Sequence, residues 1–303
     1  MRRLLIGLAA LATPVPAQTG QSAGQEADAP QTVVVTGTRQ TREQARREAF
    51  EFVRRMGVAN GERSAARWKD GVCPRVVGLA HAHARFVEKK LRLIAAEAAA
   101  PIAPTPCRTN IAVLFVSDGP DTMRTVAARL PRRLAEVAAT SRAALLASPA
   151  PVRWWYTTET RSRDGMAATG MLPPWVGLEG GGSAIPSRDS VGSLQQYNSS
   201  IVSTQTIRAL TSATVVIDAN RATGKPLGGV AAYAALVALA EIRPGGAPEG
   251  SILALFNGAD SGRELTERDR AFLRALYRLP LDREARQHRG RLASEVAAVT
   301  TGR

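Results

Sequence analysis

The chain is poor in the side chains that most metal and nucleophile chemistry requires. Among 303 residues there are three histidines, His81, His83 and His288, and two cysteines, Cys73 and Cys107. Two cysteines alone cannot make a structural zinc site. On a helix, His81 and His83 point to nearly opposite sides, and only on an extended segment would they share a face. No metal or cofactor is therefore assigned. Aromatic residues are 5% of the chain. A nucleic-acid surface gathers its bases into a patch with stacking aromatics. Here the basic residues are spread along the whole sequence, so nucleic acid is not an expected partner. Long apolar runs are missing too. Pro226 to Arg243 is the best candidate, but it is bounded by Lys225 and Arg243 and carries Glu241, so no transmembrane segment is expected after the leader.

What is present first is positive charge. Lys+Arg number 40 against 26 acids, a formal net charge of +14, and only Lys69, Lys89, Lys90 and Lys225 are lysine. The arginine excess beside so much alanine fits biased codon usage; the functional alternative is attraction to an anionic polymer. Residues 1–17 read as a secretory signal. Arg2 and Arg3 form its charged start, Leu4 to Leu11 its short apolar stretch, and Val15-Pro16-Ala17 its cleavage site. The expected location is the bacterial periplasm or the exterior. There, Cys73 and Cys107 read as a disulfide, each beside the start of an apolar strand-like run. Neighbouring parallel strands would bring those starts together.

Residues 18–40 read as a disordered linker. Within it Gln31 to Arg39, QTVVVTGTR, resembles the segment that opens the plug of TonB-dependent outer-membrane receptors. Thr41-x-x-Gln44 has capping-box spacing and starts a helix that runs to about Gly57, with Phe50, Phe52 and Val53 on its apolar side. Ala65 to Gly71 reads as a polar link, completing an N-terminal region 41–71. From Val72 to Pro280 the pattern is that of one domain, followed by a basic tail, 281–303. Strand (Arg75–Leu79), helix (His81–Ala100), apolar strand (Asn110–Val116) and helix (Asp121–Val137, despite Pro131) alternate. Such alternation predicts a mixed α/β fold with a partly parallel sheet. Val152 to Thr160 reads as a strand near an edge, and Gln195 to Ile207 as one or two strands. Thr214 to Ile217 feeds Pro226–Arg243, apolar all round and so a buried central helix. A C-terminal helix spans Leu265–Tyr277, and the segment after Pro280 reads as a fraying surface helix.

Taken in order, these elements resemble a zincin-like metallopeptidase domain, and more specifically a family of uncharacterised secreted proteins of sphingomonad-type bacteria. Leu265-Thr266, Asp269, Leu273 and Leu276-Tyr277 match the closing LT-x-x-D-x-x-x-L-x-x-LY pattern, and Ser251-Ile252-Leu253 precedes it as in that family. The resemblance implies a zincin-like fold. It also implies that the buried helix should carry HExxH, but Tyr233, Ala234 and Val237 stand at the two ligand positions and the general base. Zinc-peptidase chemistry needs imidazoles one turn apart and a carboxylate beside them. A pseudoenzyme is therefore expected.

Other chemical motifs fail on spacing. Gly224-Lys225 lacks the earlier glycine and the following Ser/Thr of a phosphate loop. Gly180 to Ser183 lacks the second glycine of a nucleophile elbow. Trp154 to Asp164, flanked by a long Gly/Pro/Ser loop (Met171–Ser190), is the richest polar–aromatic cluster. Trp154, Trp155, Tyr156, Glu159, Arg161 and Asp164 are the candidate ligand-binding residues, lining a groove for an extended ligand. The alternative is an edge strand shielded by charge. The expected function is a non-catalytic protein binding another envelope component, a protein or an anionic polymer. The alternatives are a hydrolase using carboxylates near residues 154–190 (Glu159 with Asp164, or Asp218 with Glu241) and an assembly factor with no pocket.

Overall fold

The computed structural model describes residues 41–135, 137–163, 203–204, 206–258 and 262–301. The expected leader, the linker 18–40, the glycine-rich loop and Asp164 lie outside them. Five described strands make one sheet: β1 (Ala66–Trp68), β2 (Pro74–Val77), β3 (Ile111–Val116), β4 (Val152–Ser162) and β5 (Thr206–Asp218). All pairings are parallel except that of β4 with β5. β5 is the axis. β4 runs along one of its edges, while β1 takes Arg208–Leu210 and β3 takes Ala213–Asp218 on the other. β2 lies outside β3. The fold is thus mixed α/β with a mostly parallel sheet, as the strand–helix alternation predicts.

Alternation along the strands divides the core into two layers. Ala213, Val215 and Ile217 of β5 and Trp154 of β4 face the larger core. Val216 and Trp155 face the smaller one, beside Met123, Leu134 and Leu145. The larger core is built on α5 (Leu227–Leu239), buried at every position from Gly229 to Leu239. Its alanines and leucines favour helix, and no polar side chain from Gly229 to Leu239 other than the Tyr233 hydroxyl needs water. At Gly229 a Cβ would stand 2.2 Å from the Gly262 carbonyl oxygen, so this glycine permits the close approach of that segment.

The other helices differ from the sequence reading in instructive ways. α1 (Arg42–Met56) has the expected Thr41–Gln44 capping box and ends at Gly57 in the left-handed region, φ 70°. It buries Phe52 and Val53, but Phe50 is solvent-facing. α2 (His81–Glu97) crosses from β2 to β3. The long helix expected over Asp121–Val137 is instead α3 (Gly119–Arg129), a 3-10 turn (Pro131–Leu134) and then α4 (Ala139–Ala147). Pro131 has no N–H to continue the ladder, and the chain changes direction there. Ala65–Gly71, expected as a link, contributes β1, whose Trp68 is buried. α6 (Glu267–Arg278) opens with a second capping box, Thr266 with Asp269. α7 (Ala285–Thr300), expected to fray on the surface, packs on α1 and α6 and buries Leu292 and Val296.

Cys73 and Cys107 form the disulfide, with Cα atoms 6.0 Å apart, at the starts of the paired strands β2 and β3. Asn110 seals the same corner: its side chain accepts from the Cys73 N–H at 2.7 Å and donates to the Gly71 carbonyl at 3.0 Å. The outer edge of β2 is blunted by Glu88, whose carboxylate accepts the Val76 N–H at 2.9 Å.

The disulfide closes a loop of sequence separation 34. Its removal by paired Cys→Ala substitution is expected to cost about 3–4 kcal/mol in the chain-entropy account, measured by urea unfolding. Helical glycines should behave oppositely at two positions. Gly290→Ala, with nothing within 4 Å of the new methyl, should stabilise by about 0.5–1 kcal/mol. Gly229→Ala should destabilise by about 1–3 kcal/mol through overpacking against Gly262. Melting temperatures moving in the same direction would contradict this.

Candidate functional site

A helix leaves its last four carbonyls without partners, and in α5 that end is buried. Aromatic side chains from three elements supply the missing donors. Trp68 of β1 donates its indole N–H to Ala238 at 2.8 Å, and the Tyr277 hydroxyl of α6 donates to Leu239 at 2.8 Å. The Tyr156 hydroxyl of β4 lies 2.7 and 2.8 Å from the carbonyls of Val237 and Ala240, and accepts the Ile242 N–H at 3.1 Å. Trp154 donates to the Ile242 carbonyl at 2.8 Å. Burial pushes the Tyr156, Tyr233 and Tyr277 phenols well above their ordinary range, so all three stay protonated.

Just beyond this buried end lies a pocket of about 370 Å³. Trp154, Trp155, Tyr156 and Thr158 of β4 form one wall. Successive strand residues point to opposite faces, so the pocket opens on the edge of β4, where among the described residues no strand pairs. Leu145 and Val137, at α4 and its approach, make an apolar wall with Trp155. The lining is also charged, and includes Arg63, Arg208, Glu241 and Arg243. Arg208 holds Glu241 with two bonds, at 2.5 and 2.8 Å, and its guanidinium also donates to the Ser64 carbonyl at 2.9 Å. Arg63 reaches the same carboxylate at 3.6 Å. The Arg243 side chain is exposed and has no ion pair among the described residues; its backbone N–H donates to Met56 at 2.9 Å, fixing the rim.

The six residues singled out from the sequence separate in space. Trp154, Trp155 and Tyr156 line the pocket, although the polar ends of Trp154 and Tyr156 are committed to α5. Glu159 and Arg161 do not line it: Arg161 pairs with Glu159 and, with two nitrogens, with Asp70. The Arg161 hydrogen bond holds the Asp70 carboxyl below its usual range. Asp164 lies outside the described residues. The other carboxylate pair, Asp218 with Glu241, is not brought together. Asp218, at the end of β5, accepts the N–H groups of Gly119 and Arg221 at 3.0 and 3.1 Å. Glu241 pairs near the start of β5, about 30 Å of extended strand away. Arg63, Arg208 and Arg243 were not singled out. Arg208 had a signal, since it interrupts the apolar and β-branched run that leads into Ile217.

At the helix positions where the resemblance would place HExxH, Tyr233 packs edge-on to Trp154 and Phe256, with ring centroids 6.0 and 5.5 Å away, and Ala234 and Val237 are fully buried. His81 and His83 are exposed on the first turn of α2. No three His, Cys, Asp or Glu side chains among the described residues could hold a metal ion together. His288 is structural: fully buried, it accepts the Ala65 N–H on Nδ1 at 3.0 Å, and Nε2 stands 3.0 Å from the Pro280 carbonyl. Those partners require the neutral ring with its proton on Nε2. Comparisons with family models, with curated proteins and with solved structures returned no match.

Burial pushes the His288 ring below its ordinary value of 6.5, helped by Arg67 and Arg291 and opposed by the Pro280 carbonyl and Asp282. The unfolded chain then binds the extra proton first as pH falls below 6.5, so this stability is present above 6.5 and lost as pH falls through the folded value. His288→Gln should flatten the pH dependence of melting below 6.5. An unchanged profile, recorded by calorimetry at fixed ionic strength, would contradict it.

Proposed function

We propose that this chain is an extracytoplasmic, non-catalytic protein that binds another component of the bacterial envelope through the pocket at the β4 edge. The observation that carries the reading is the pocket itself: aromatic and apolar side chains lined together with arginines, beside the end of a buried helix. The compartment rests on two supports. A disulfide joins Cys73 to Cys107, which fits an oxidising environment. The second is the leader read at residues 1–17. No described helix is long and apolar enough to cross a membrane.

The non-catalytic part rests on residue chemistry. In the proposed zincin-like ancestry, α5 would have exchanged ligands and base for Tyr233, Ala234 and Val237, which now pack a core. The closing pattern persists because it holds the fold together. Asp269 caps α6, accepts the Ser251 hydroxyl at 2.6 Å and the Ile252 N–H at 2.8 Å, and Tyr277 caps α5.

The test is retention of fractionated envelope components (lipid, glycan and protein) on the immobilised full chain. Ser141, exposed at the pocket, supplies a plug. Wild type should retain a component, and Ser141→Trp should lose about 90% of it, as a loss of about 1.4 kcal/mol or more in binding would give. Retention unaffected by the plug would overturn the reading. So would turnover of peptide or ester libraries that Glu159→Gln abolishes.

A further inference from the structure

The charge balance of the pocket points to one class of ligand. Arg63, Arg208 and Arg243 face a single carboxylate, Glu241, which Arg208 already grips with two bonds. Arg63 approaches that carboxylate only to 3.6 Å, and Arg243 has no ion pair among the described residues. The wall therefore carries nominal positive charge in excess of its carboxylate. A second cavity, of about 340 Å³ between α2 and α6, shows the contrast. There Arg270 is surrounded by Glu97, Glu264 and Glu267 at 3.3 to 3.8 Å, and no excess arises.

A second source of positive potential lies at the same pocket. Ala138, the N-cap of α4, offers no capping side chain, and the first turn has no acidic residue. Val137, Ala138 and Ser141, at that helix start, line the pocket. The unpaired N–H groups of a first turn carry partial positive charge. Here that end adds to the arginines rather than standing alone. The same pocket carries an apolar surface made by Trp155, Leu145 and Val137.

We infer that the pocket takes an anionic amphiphile: a carboxylate or phosphate head against Arg63 and Arg243, with an acyl or aryl body on Trp155 and Leu145. The inference rests on the binding role proposed above and specifies its ligand. Arginine suits such a head because its planar fork matches two oxygens at once.

Calorimetry and tryptophan fluorescence on the full chain test this with octanoate, octyl phosphate, octanamide and inorganic phosphate, all below micelle formation. Octanoate or octyl phosphate should bind, and the tighter of the two identifies the head. Octanamide, uncharged and nearly isosteric with octanoate, should bind about tenfold more weakly or worse, as should inorganic phosphate alone. Arg63→Gln with Arg243→Gln, both at exposed positions, should weaken the anionic probes by a similar factor. Ser141→Glu is the second variant. A carboxylate in a helix's first turn favours the helix, so its melting temperature should hold or rise while anionic binding is lost. Equal affinity for octanoate and octanamide, equal affinity for inorganic and octyl phosphate, or undiminished binding by Ser141→Glu would each overturn the inference. If no probe binds while Ser141→Trp still abolishes retention of an envelope component, the ligand class falls and the binding role stands. A retained extended peptide would be that case. If neither is seen, both fall.

Discussion

The buried carboxyl end of α5 is the constraint around which the other elements are placed. An unsatisfied buried carbonyl costs about 1–3 kcal/mol, and here several lie together among buried residues. Solving this with backbone would need a further strand or turn inside the core. The chain instead brings in long aromatic donors from β1, β4 and α6, each anchored on its own element. Trp68 thereby fixes the short strand β1, Trp154 and Tyr156 fix β4, and Tyr277 fixes α6. In a chain with few aromatics this is a concentrated use of them. Burial keeps the phenols protonated, so the caps stay donors across the ordinary pH range.

The pocket is a by-product of that arrangement. Because Trp154 and Tyr156 turn inward, Trp155 between them must turn to the opposite face, where it meets Leu145 of α4. The chain leaving α5 emerges at the same corner, bringing Glu241 and Arg243 to the sheet edge. Arg208 is the first residue of β5 paired with β1 and bonds Glu241 from there. Gly57 lets the rim close: a Cβ on it would stand 2.4 Å from the Arg243 Cβ. Thus a structural device in the core fixes which groups face outward.

Local signals in the sequence were reliable where one stretch decided its own state. The uniformly apolar Leu227–Leu239 could only be a buried helix. Thr41 with Gln44 marked a helix start by side chains three residues apart. The cysteines were legible because each precedes a strand, and parallel neighbours align their starts. The readings that differed from the structure depended on distant partners. β1 is only three residues long and pairs with Arg208–Leu210, far along the chain. α7 reads as charged because its buried side is made of small and medium residues: Ala285, Ala293 and Ala297 with Leu292, Val296 and His288. Alanine carries little hydropathy signal but packs closely. Half of the cluster at Trp154–Arg161 is legible as a site only once the strand's direction is known. Glu159 and Arg161 look as chemically active as their neighbours until Arg161 is seen held between Glu159 and Asp70, two residues past β1.

The position of β5 orders the assembly in time. It is the strand to which β1, β3 and β4 all pair, yet it follows every one of them in the sequence. During synthesis β2 and β3 can align, and their cysteines can join, while the remaining strands still lack the surface they pair with. The sheet closes only when residues 206–218 arrive, and they must enter between strands already made. Loop closure over such separations slows folding. An early covalent bond between β2 and β3 shortens that search by presenting β5 with an edge that is already formed.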